Sequence, residues 1–134
     1  MDDLISQWRA ARTEWAAANA AGEPVKVRNR IMDRIWNLGH EIASHPDLHE
    51  RVAAFCGLDQ DPDLRVWAAL VVEHWDVTRA AETFVSVIQD SGDSVNRPMT
   101  MADALKVNST TTARTAALCL LNIDEGRGNT GGGS

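Results

Sequence analysis

The stretch Asp61-Pro62-Asp63-Leu64-Arg65-Val66-Trp67-Ala68-Ala69 decides the fold. It predicts a helix start, because the Asp61 side chain can cap the first backbone N–H groups and proline at the first helical position leaves no N–H unpaired. Val66 and Leu70 face away from the main apolar stripe, so this helix is apolar on two sides and should lie between neighbours rather than at an edge. The main stripe repeats at steps of three and four: Leu64, Trp67, Ala68, Val71 and Trp75.

The same helical periodicity extends on both sides of this stretch, and no segment alternates with the period of two that predicts a strand. The pattern breaks at residues 90–108, which combine a loop composition with one short helix. The sequence therefore predicts an all-α fold, with a single domain over 1–125, an insertion at 90–108 and a flexible glycine-rich tail over 126–134. The predicted helices cover about 2–21, 24–43, 46–56, 62–75 and 78–89, then a short helix from a Thr100 cap to Val107 and a last helix from a Ser109 cap to Ile123.

Composition and length fit one soluble domain. A chain of 134 residues with 44% apolar side chains can bury a core. Its longest apolar run, 66–72, is too short for a membrane span, and the acidic start lacks the basic flank of a secretory signal. We therefore expect a cytoplasmic protein. Two cysteines, Cys56 and Cys119, are too few for a disulfide framework and are expected to be buried thiols.

The net charge of −6 is unevenly distributed. Residues 58–134 carry six basic and eleven acidic side chains, a balance of −5. A duplex-binding protein should show a basic surface, so nucleic acid is a disfavoured partner. A basic protein partner suits this charge, although solubility alone is the simpler explanation.

A weak internal repeat relates two of the helices. Arg65 and Arg114 are each followed by an apolar stretch, at an offset of 49 residues. Pairing the first helix with the second, the third with the fourth, and the fifth with the last gives three hairpins. Hairpins of this kind cannot bury their apolar faces alone, so they are expected to stack.

These residues resemble HEAT-like repeats and, more narrowly, an uncharacterised bacterial HEAT-like family, a domain of unknown function. The motifs that carry the resemblance are Asn29-Arg30 with Asp33, the central Leu64-Arg65-Val66-Trp67-Ala68-Ala69, and Leu121-Asn122-Ile123-Asp124-Glu125-Gly126. The resemblance implies a short right-handed α-solenoid of about three stacked antiparallel hairpins. Residues 90–108 depart from it, because that family is shorter there. It implies no catalytic residues.

Two groups of side chains invite a metal interpretation, and both have a simpler one. His45 and His49 are four apart, with His40 and Glu41 nearby, but Pro46 makes His45 a residue before the helix, so the pair should not share a face. Asp59, Asp61 and Asp63 lack the glycine and distal glutamate of a calcium loop. Capping of the helix and pairing with Arg65 explain these carboxylates better. We expect no metal and no cofactor.

The candidate binding residues fall in two places. The insertion interrupts a regular pattern, and function often lies in such segments, so Asp93, Asn96, Arg97 and Met99 are the first candidates. The second group is Trp36 with Arg30 and Arg34 on the predicted second helix. Tryptophan anchors interfaces when it is exposed, and these arginines belong to the only basic concentration in the chain. A solvated helix face and a core indole are the simpler alternatives.

Three functions from different classes remain open. The first is a non-enzymatic protein–protein interaction module, including a toxin-neutralising immunity protein whose partner is a basic toxin domain. The second is a HEAT-like DNA glycosylase or another nucleic-acid-binding repeat enzyme, which would need a basic concave face. The third is a structural domain that forms homodimers through the second apolar side of the helix that begins at Pro62.

Overall fold

The computed structural model describes residues 3–126, and every regular element in that range is helical, as the sequence predicts. The third helix is shorter than predicted, because 3₁₀ turns at Pro46–Leu48 and Ala54–Cys56 flank it. The glycine-rich tail lies outside the described residues, apart from Gly126. The α-helices are α1 (Leu4–Ala20), α2 (Val25–Ala43), α3 (His49–Ala53), α4 (Pro62–Val72), α5 (Val77–Asp90), α6 (Met101–Lys106) and α7 (Thr111–Asp124).

Side-chain caps set most helix starts. Asp3 accepts a hydrogen bond from Ser6 N, and Asp61 accepts from the N–H groups of Asp63 and Leu64. The predicted cap at Thr100 is present as a reciprocal box with Asp103. The predicted Ser109 cap is wrong by one residue, because the Thr110 hydroxyl accepts from Ala113 N at the start of α7.

The described residues 3–126 form two compact units, which divide between Glu50 and Arg51. In the first unit α1 packs against α2. Two side-chain links show that these helices run antiparallel: Arg34 pairs with Glu14 at 2.5 Å, and Arg28 donates to Asn19 Oδ1 at 3.3 Å. The buried side chains of this unit include Ile5, Trp8, Ala11, Ile31, Ile35 and Ile42.

In the second unit α5 is central, packing against both α4 and α7, while α6 packs on α7. One core joins all four helices, and Val66 of α4 belongs to it, so the second apolar side of that helix is covered inside the unit. The insertion contributes Met99, Ala104 and Val107 to the same core. The largest fully buried side chains of this core are Phe84, Val87, Ile88, Leu120 and Leu121.

The five tryptophans differ in exposure. Trp8 is fully buried, whereas Trp36 is 41% exposed. The other three, Trp15, Trp67 and Trp75, are half-buried rather than enclosed in the core. The helical stripes therefore predicted the inward direction of these indoles but overestimated their burial.

Candidate interaction surface

The segment between α5 and α6, residues 91–100, is fastened to the end of α7 by one carboxylate. Asp124 accepts hydrogen bonds from Arg97 Nε at 3.1 Å and from the Met99 backbone N–H at 2.8 Å. Arg97 Nη2 completes a forked ion pair with the other carboxylate oxygen. Only 5% of the Asp124 side chain is exposed. This carboxylate therefore holds an irregular segment against a helix end at three points.

These hydrogen bonds favour the charged form of Asp124 and so affect its pKa. Burial by itself would raise that pKa, but the hydrogen bonds from Arg97 and Met99, together with the charge of Arg97, lower it below the ordinary value. The same carboxylate raises the pKa of Arg97. Both groups therefore stay charged at neutral pH, and the segment is held by a full ion pair.

The other predicted residues of the insertion also make contacts that hold it against the rest of the protein. Asp93 accepts from Ser109 N at 3.4 Å, and Asn96 hydrogen-bonds to Asp103, which helps to lower the pKa of that carboxyl. Thr100 is the largest cause of that lowering. Met99 is buried in the core. The structure thus brings Asp93, Asn96, Arg97 and Met99 together in one segment, in which they contact the protein itself.

The solvent side of the insertion carries different residues. On α6, Met101 is 51% exposed and Leu105 is 58% exposed, and the two are one helical turn apart. Arg114 of α7 donates from Nε to the Val107 carbonyl at 3.1 Å and from Nη2 to the Leu105 carbonyl at 3.4 Å. Because Asp124 holds the start of the short helix and Arg114 holds its end, α6 lies antiparallel along α7.

The outward side of α7 adds a third large apolar side chain, Leu118, which is 45% exposed. We call the three exposed residues Met101, Leu105 and Leu118 the α6–α7 face. The sequence contains a signal for this surface, because Met101 and Leu105 are four residues apart and therefore lie on the same side of the short predicted helix. Large side chains exposed in this way are typical of binding surfaces when they lie close together.

The second predicted group is not assembled into one surface. Arg34 is bound to Glu14 at the α1–α2 contact. Trp36 follows two residues later, which on a helix places it about 200° around the axis from Arg34. Arg30 is exposed and lies one turn before Arg34. Trp36 and the arginines thus occupy different sides of α2.

Two of the residues weighed as metal ligands, His49 and Asp61, have hydrogen-bond partners inside the protein. The His49 ring nitrogen Nε2 lies 2.8 Å from the Ala43 carbonyl, and His45 is exposed just before the 3₁₀ turn. Asp61 is occupied as the α4 cap. Within residues 3–126, no three His, Cys, Asp or Glu side chains are grouped as metal ligands.

Arg65, the arginine of the central motif, is a buried structural residue. Its carboxylate partner is Asp90 at the far end of α5, at 2.8 Å, and not the acidic turn that precedes it in sequence. It also donates to the hydroxyl of Ser86, which in turn donates to the Thr83 carbonyl at 2.7 Å. Its repeat partner Arg114 is exposed and binds backbone carbonyls instead, so the two positions hold different neighbours.

The chain matches no protein-family model, no curated protein and no solved structure. No helix within residues 3–126 is both long and apolar enough to cross a membrane.

Proposed function

We propose that this protein is a non-enzymatic module that binds another protein through the α6–α7 face. The observation that supports this most directly is the pair Met101 and Leu105, both more than half exposed on a helix held at both ends by charged hydrogen bonds. An exposed apolar pair on a fastened element loses little conformational freedom when it binds. Its two side chains are suited to anchoring a partner.

The proposed partner is a basic protein. The net charge of −6 favours attraction to a basic surface at long range, and the apolar side chains would supply the contact itself. Within this class we propose a basic toxin domain, with this protein as the neutralising immunity protein. Both proteins would meet in the cytoplasm, where the sequence leads us to place this chain.

We also propose that the helices are arranged as a short right-handed HEAT-like solenoid of three hairpins. The antiparallel links between α1 and α2 support the first hairpin. The packing of the Ala54–Cys56 turn on α4, and that of α5 on α7, support the other two pairings. In this arrangement residues 90–108 are an addition to the third hairpin, and binding specificity lies in the addition.

The test is affinity capture with the full chain from its native cell, followed by quantitative mass spectrometry. The double variant Met101→Asp/Leu105→Asp places two charges on the α6–α7 face without touching the core. We expect it to recover the specific partner at least ten-fold less well than the unaltered protein. The matched control is Val25→Asp, an equally polar change at another exposed apolar position, which should leave recovery unchanged.

Two outcomes would count against the proposal. In the first, no protein depends on Met101 and Leu105 for recovery. In the second, Val25→Asp and the double variant lose the same protein equally. A partner that is acidic rather than basic would remove the toxin-neutralising version and leave the interaction module.

Light scattering over a range of protein concentrations tests the homodimer alternative. Val66 is buried and Leu70 is packed against the same core, so the second side of α4 is not offered to another copy. We expect a monomer. A dimer dissolved by Met101→Asp/Leu105→Asp would make a second copy the partner of the α6–α7 face.

A further inference from the structure

The second unit contains an open cleft of about 290 Å³ that lies between the turn after α3 and the side of α5. Its first wall is built from small residues, Ala54 and Gly57, and ends at Leu58. Its second wall carries Arg79, Glu82 and Ser86, which follow one side of α5 at steps of three and four. None of these residues belongs to the α6–α7 face.

The positions of both walls of this cleft are fixed by contacts within the protein. On the first wall the Gly57 N–H donates to the Ala54 carbonyl at 3.3 Å and the Gln60 N–H donates to the Gly57 carbonyl at 3.0 Å, so the turn is closed by its own backbone. On the other wall the Ser86 hydroxyl is fixed between the buried Arg65 guanidinium and the Thr83 carbonyl. The Arg65 guanidinium is fixed in turn by Asp90 at 2.8 Å. A site with fixed walls does not have to be ordered by its ligand.

The chemistry of the rim is divided between an apolar side and a charged side. Leu58 is 73% exposed, the highest value among the large apolar side chains of residues 3–126. Opposite it, Arg79 and Glu82 are both exposed and one turn apart, so a cation and an anion stand side by side. A ligand that fills the cleft therefore meets an apolar side chain on one side and both signs of charge on the other.

The size of the cleft decides between two kinds of ligand. Pockets for small molecules and cofactors usually begin at about 300 Å³ and enclose most of the ligand surface. This cleft is at the lower limit and is open to solvent. It has room for one large apolar side chain of a polypeptide whose neighbouring residues stay on the rim.

We infer that the cleft between Leu58 and the Arg79–Glu82 side of α5 is a second binding site, which takes one apolar side chain from a peptide segment of a partner protein. The segment carries a carboxylate opposite Arg79 and a cation opposite Glu82, since like charges there would repel. The site goes beyond the proposed function, because it uses none of the residues of the α6–α7 face.

The test is selection of a phage-displayed library of random twelve-residue peptides on the immobilised full chain. We expect enriched peptides to share one large apolar residue with an acidic residue within four positions of it. Their synthetic forms should bind Leu58→Asp at least ten-fold more weakly than the unaltered protein. Leu58 is mostly exposed, so this variant should keep the thermal midpoint of the parent.

Charge reversal gives a readout that a loss of folding cannot imitate. A selection repeated on Arg79→Glu should enrich peptides with a basic residue in place of the acidic one. Peptides that bind the parent and Leu58→Asp equally would overturn the proposal, as would the absence of any enrichment over phage without an insert. Met101→Asp/Leu105→Asp should leave binding unchanged, which separates this site from the α6–α7 face.

Discussion

At the scale of single residues, Asp124 occupies a position that a helix normally disfavours for a carboxylate. It is the last residue of α7, where the helix dipole is negative, and its side chain is almost fully buried. Three hydrogen bonds from Arg97 and Met99 offset both costs. A carboxylate at this position is thus explained by its hydrogen bonds to the insertion segment, and not by its place at the end of α7.

The first prediction concerns the strength of this fastening. Asp124→Asn removes the charge and replaces one acceptor oxygen with an NH₂ donor, so the forked ion pair with Arg97 is lost. We expect the free energy of unfolding to fall by about 2 kcal/mol, measured by urea denaturation. Glu125→Gln makes the same chemical change at an exposed neighbour and should shift stability by less than about 0.5 kcal/mol. Equal effects of the two variants would contradict the role given to Asp124.

The second prediction concerns pH. The pKa of Asp124 is lowered in the folded protein, so its contribution to stability is complete above the unfolded value of about 3.9 and is lost as pH falls through the lower folded value. The stability difference between the parent and Asp124→Asn should stay constant from about pH 8 to pH 5 and shrink below about pH 4. Urea titrations at several pH values measure it. A difference that grows on acidification has the wrong sign for this mechanism.

The third prediction concerns the thiols. Burial, together with the charge of Glu73, raises the pKa of Cys119 to about 12, and burial raises that of Cys56 despite its hydrogen bond with Thr83. Because the thiolate is the reactive form, iodoacetamide should label Cys119 at pH 8 about a thousand-fold more slowly in the native protein than in concentrated urea. Mass spectrometry of the labelled peptides follows the rate. Both thiols are half-buried rather than enclosed as the sequence predicts, and equal native and denatured rates at Cys119 would contradict its raised pKa in the folded protein.

At the scale of elements, the start of α7 offers three neighbouring hydroxyl side chains, and one of them caps the helix. Ser109, Thr110 and Thr111 all have residue types that can cap a helix, so composition alone does not choose among them. The backbone of Thr110 is extended and its hydroxyl accepts from Ala113 N at 2.9 Å. The position where the chain turns into the helix therefore decides which side chain caps it.

The fourth prediction follows from this choice. Thr110→Ala removes the cap and should lower the free energy of unfolding by about 1 kcal/mol. Ser109→Ala is the matched control and should have an effect near zero, since its hydroxyl is not the cap. Thermal or urea unfolding of the two variants distinguishes them. A larger loss of stability for Ser109→Ala than for Thr110→Ala would favour the Ser109 cap that the sequence predicts.

The short helix α6 shows how an element too short to persist alone can present a surface. Six residues are well below the length at which an isolated helix is stable in water. It persists because the Thr100–Asp103 box closes its start, Arg114 binds carbonyls at its end, and Ala104 and Val107 are buried beneath it. Met101 and Leu105 are therefore held outward by contacts that they do not make themselves.

At the scale of the whole molecule, several arginines are engaged within the protein and the net charge is acidic, which together disfavour a nucleic-acid surface. Arg28 donates to Asn19 and to the Glu23 carbonyl, Arg34 pairs with Glu14, and Arg65 is buried. With a net charge of −6, the protein should be repelled by phosphates at long range.

The fifth prediction is that a gel-shift titration with duplex DNA at low salt gives no complex. Low salt is the most permissive condition, because affinity for phosphates falls steeply as salt rises. A basic DNA-binding domain run in parallel shows that the assay detects binding. A shift that weakens with added salt would bring back the glycosylase alternative and count against a purely protein-binding role.

The helical content was predictable because it depends on local signals. The caps at Asp61 and Thr100 and the spacing of apolar residues placed six helices to within three residues at either end. The third predicted helix is divided into a short α-helix with a 3₁₀ turn at either end. The repeat of Arg65 and Arg114 predicted equivalent positions but not their partners, because those partners come from other elements.

The candidate site was predictable only as a segment. The broken pattern at 90–108 marked the insertion, but Asp93, Asn96, Arg97 and Met99 were chosen for their chemistry in an irregular stretch. Whether such side chains face the solvent or the protein depends on where the chain passes, which no local pattern records. The structure buries Met99, engages Asp93, Asn96 and Arg97 in hydrogen bonds within the protein, and leaves Met101 and Leu105 exposed.

By itself the sequence determined the all-α class, most helix boundaries, the caps at Asp61 and Thr100 and the direction of the main apolar stripes, because each depends on residues within a few positions of one another. Only the tertiary structure decided that Arg65 binds Asp90, that Asp124 holds the insertion, and that Met101, Leu105 and Leu58 remain exposed. These outcomes join residues up to 27 positions apart. They depend on how helices pack, which is set by the whole core rather than by any one stretch.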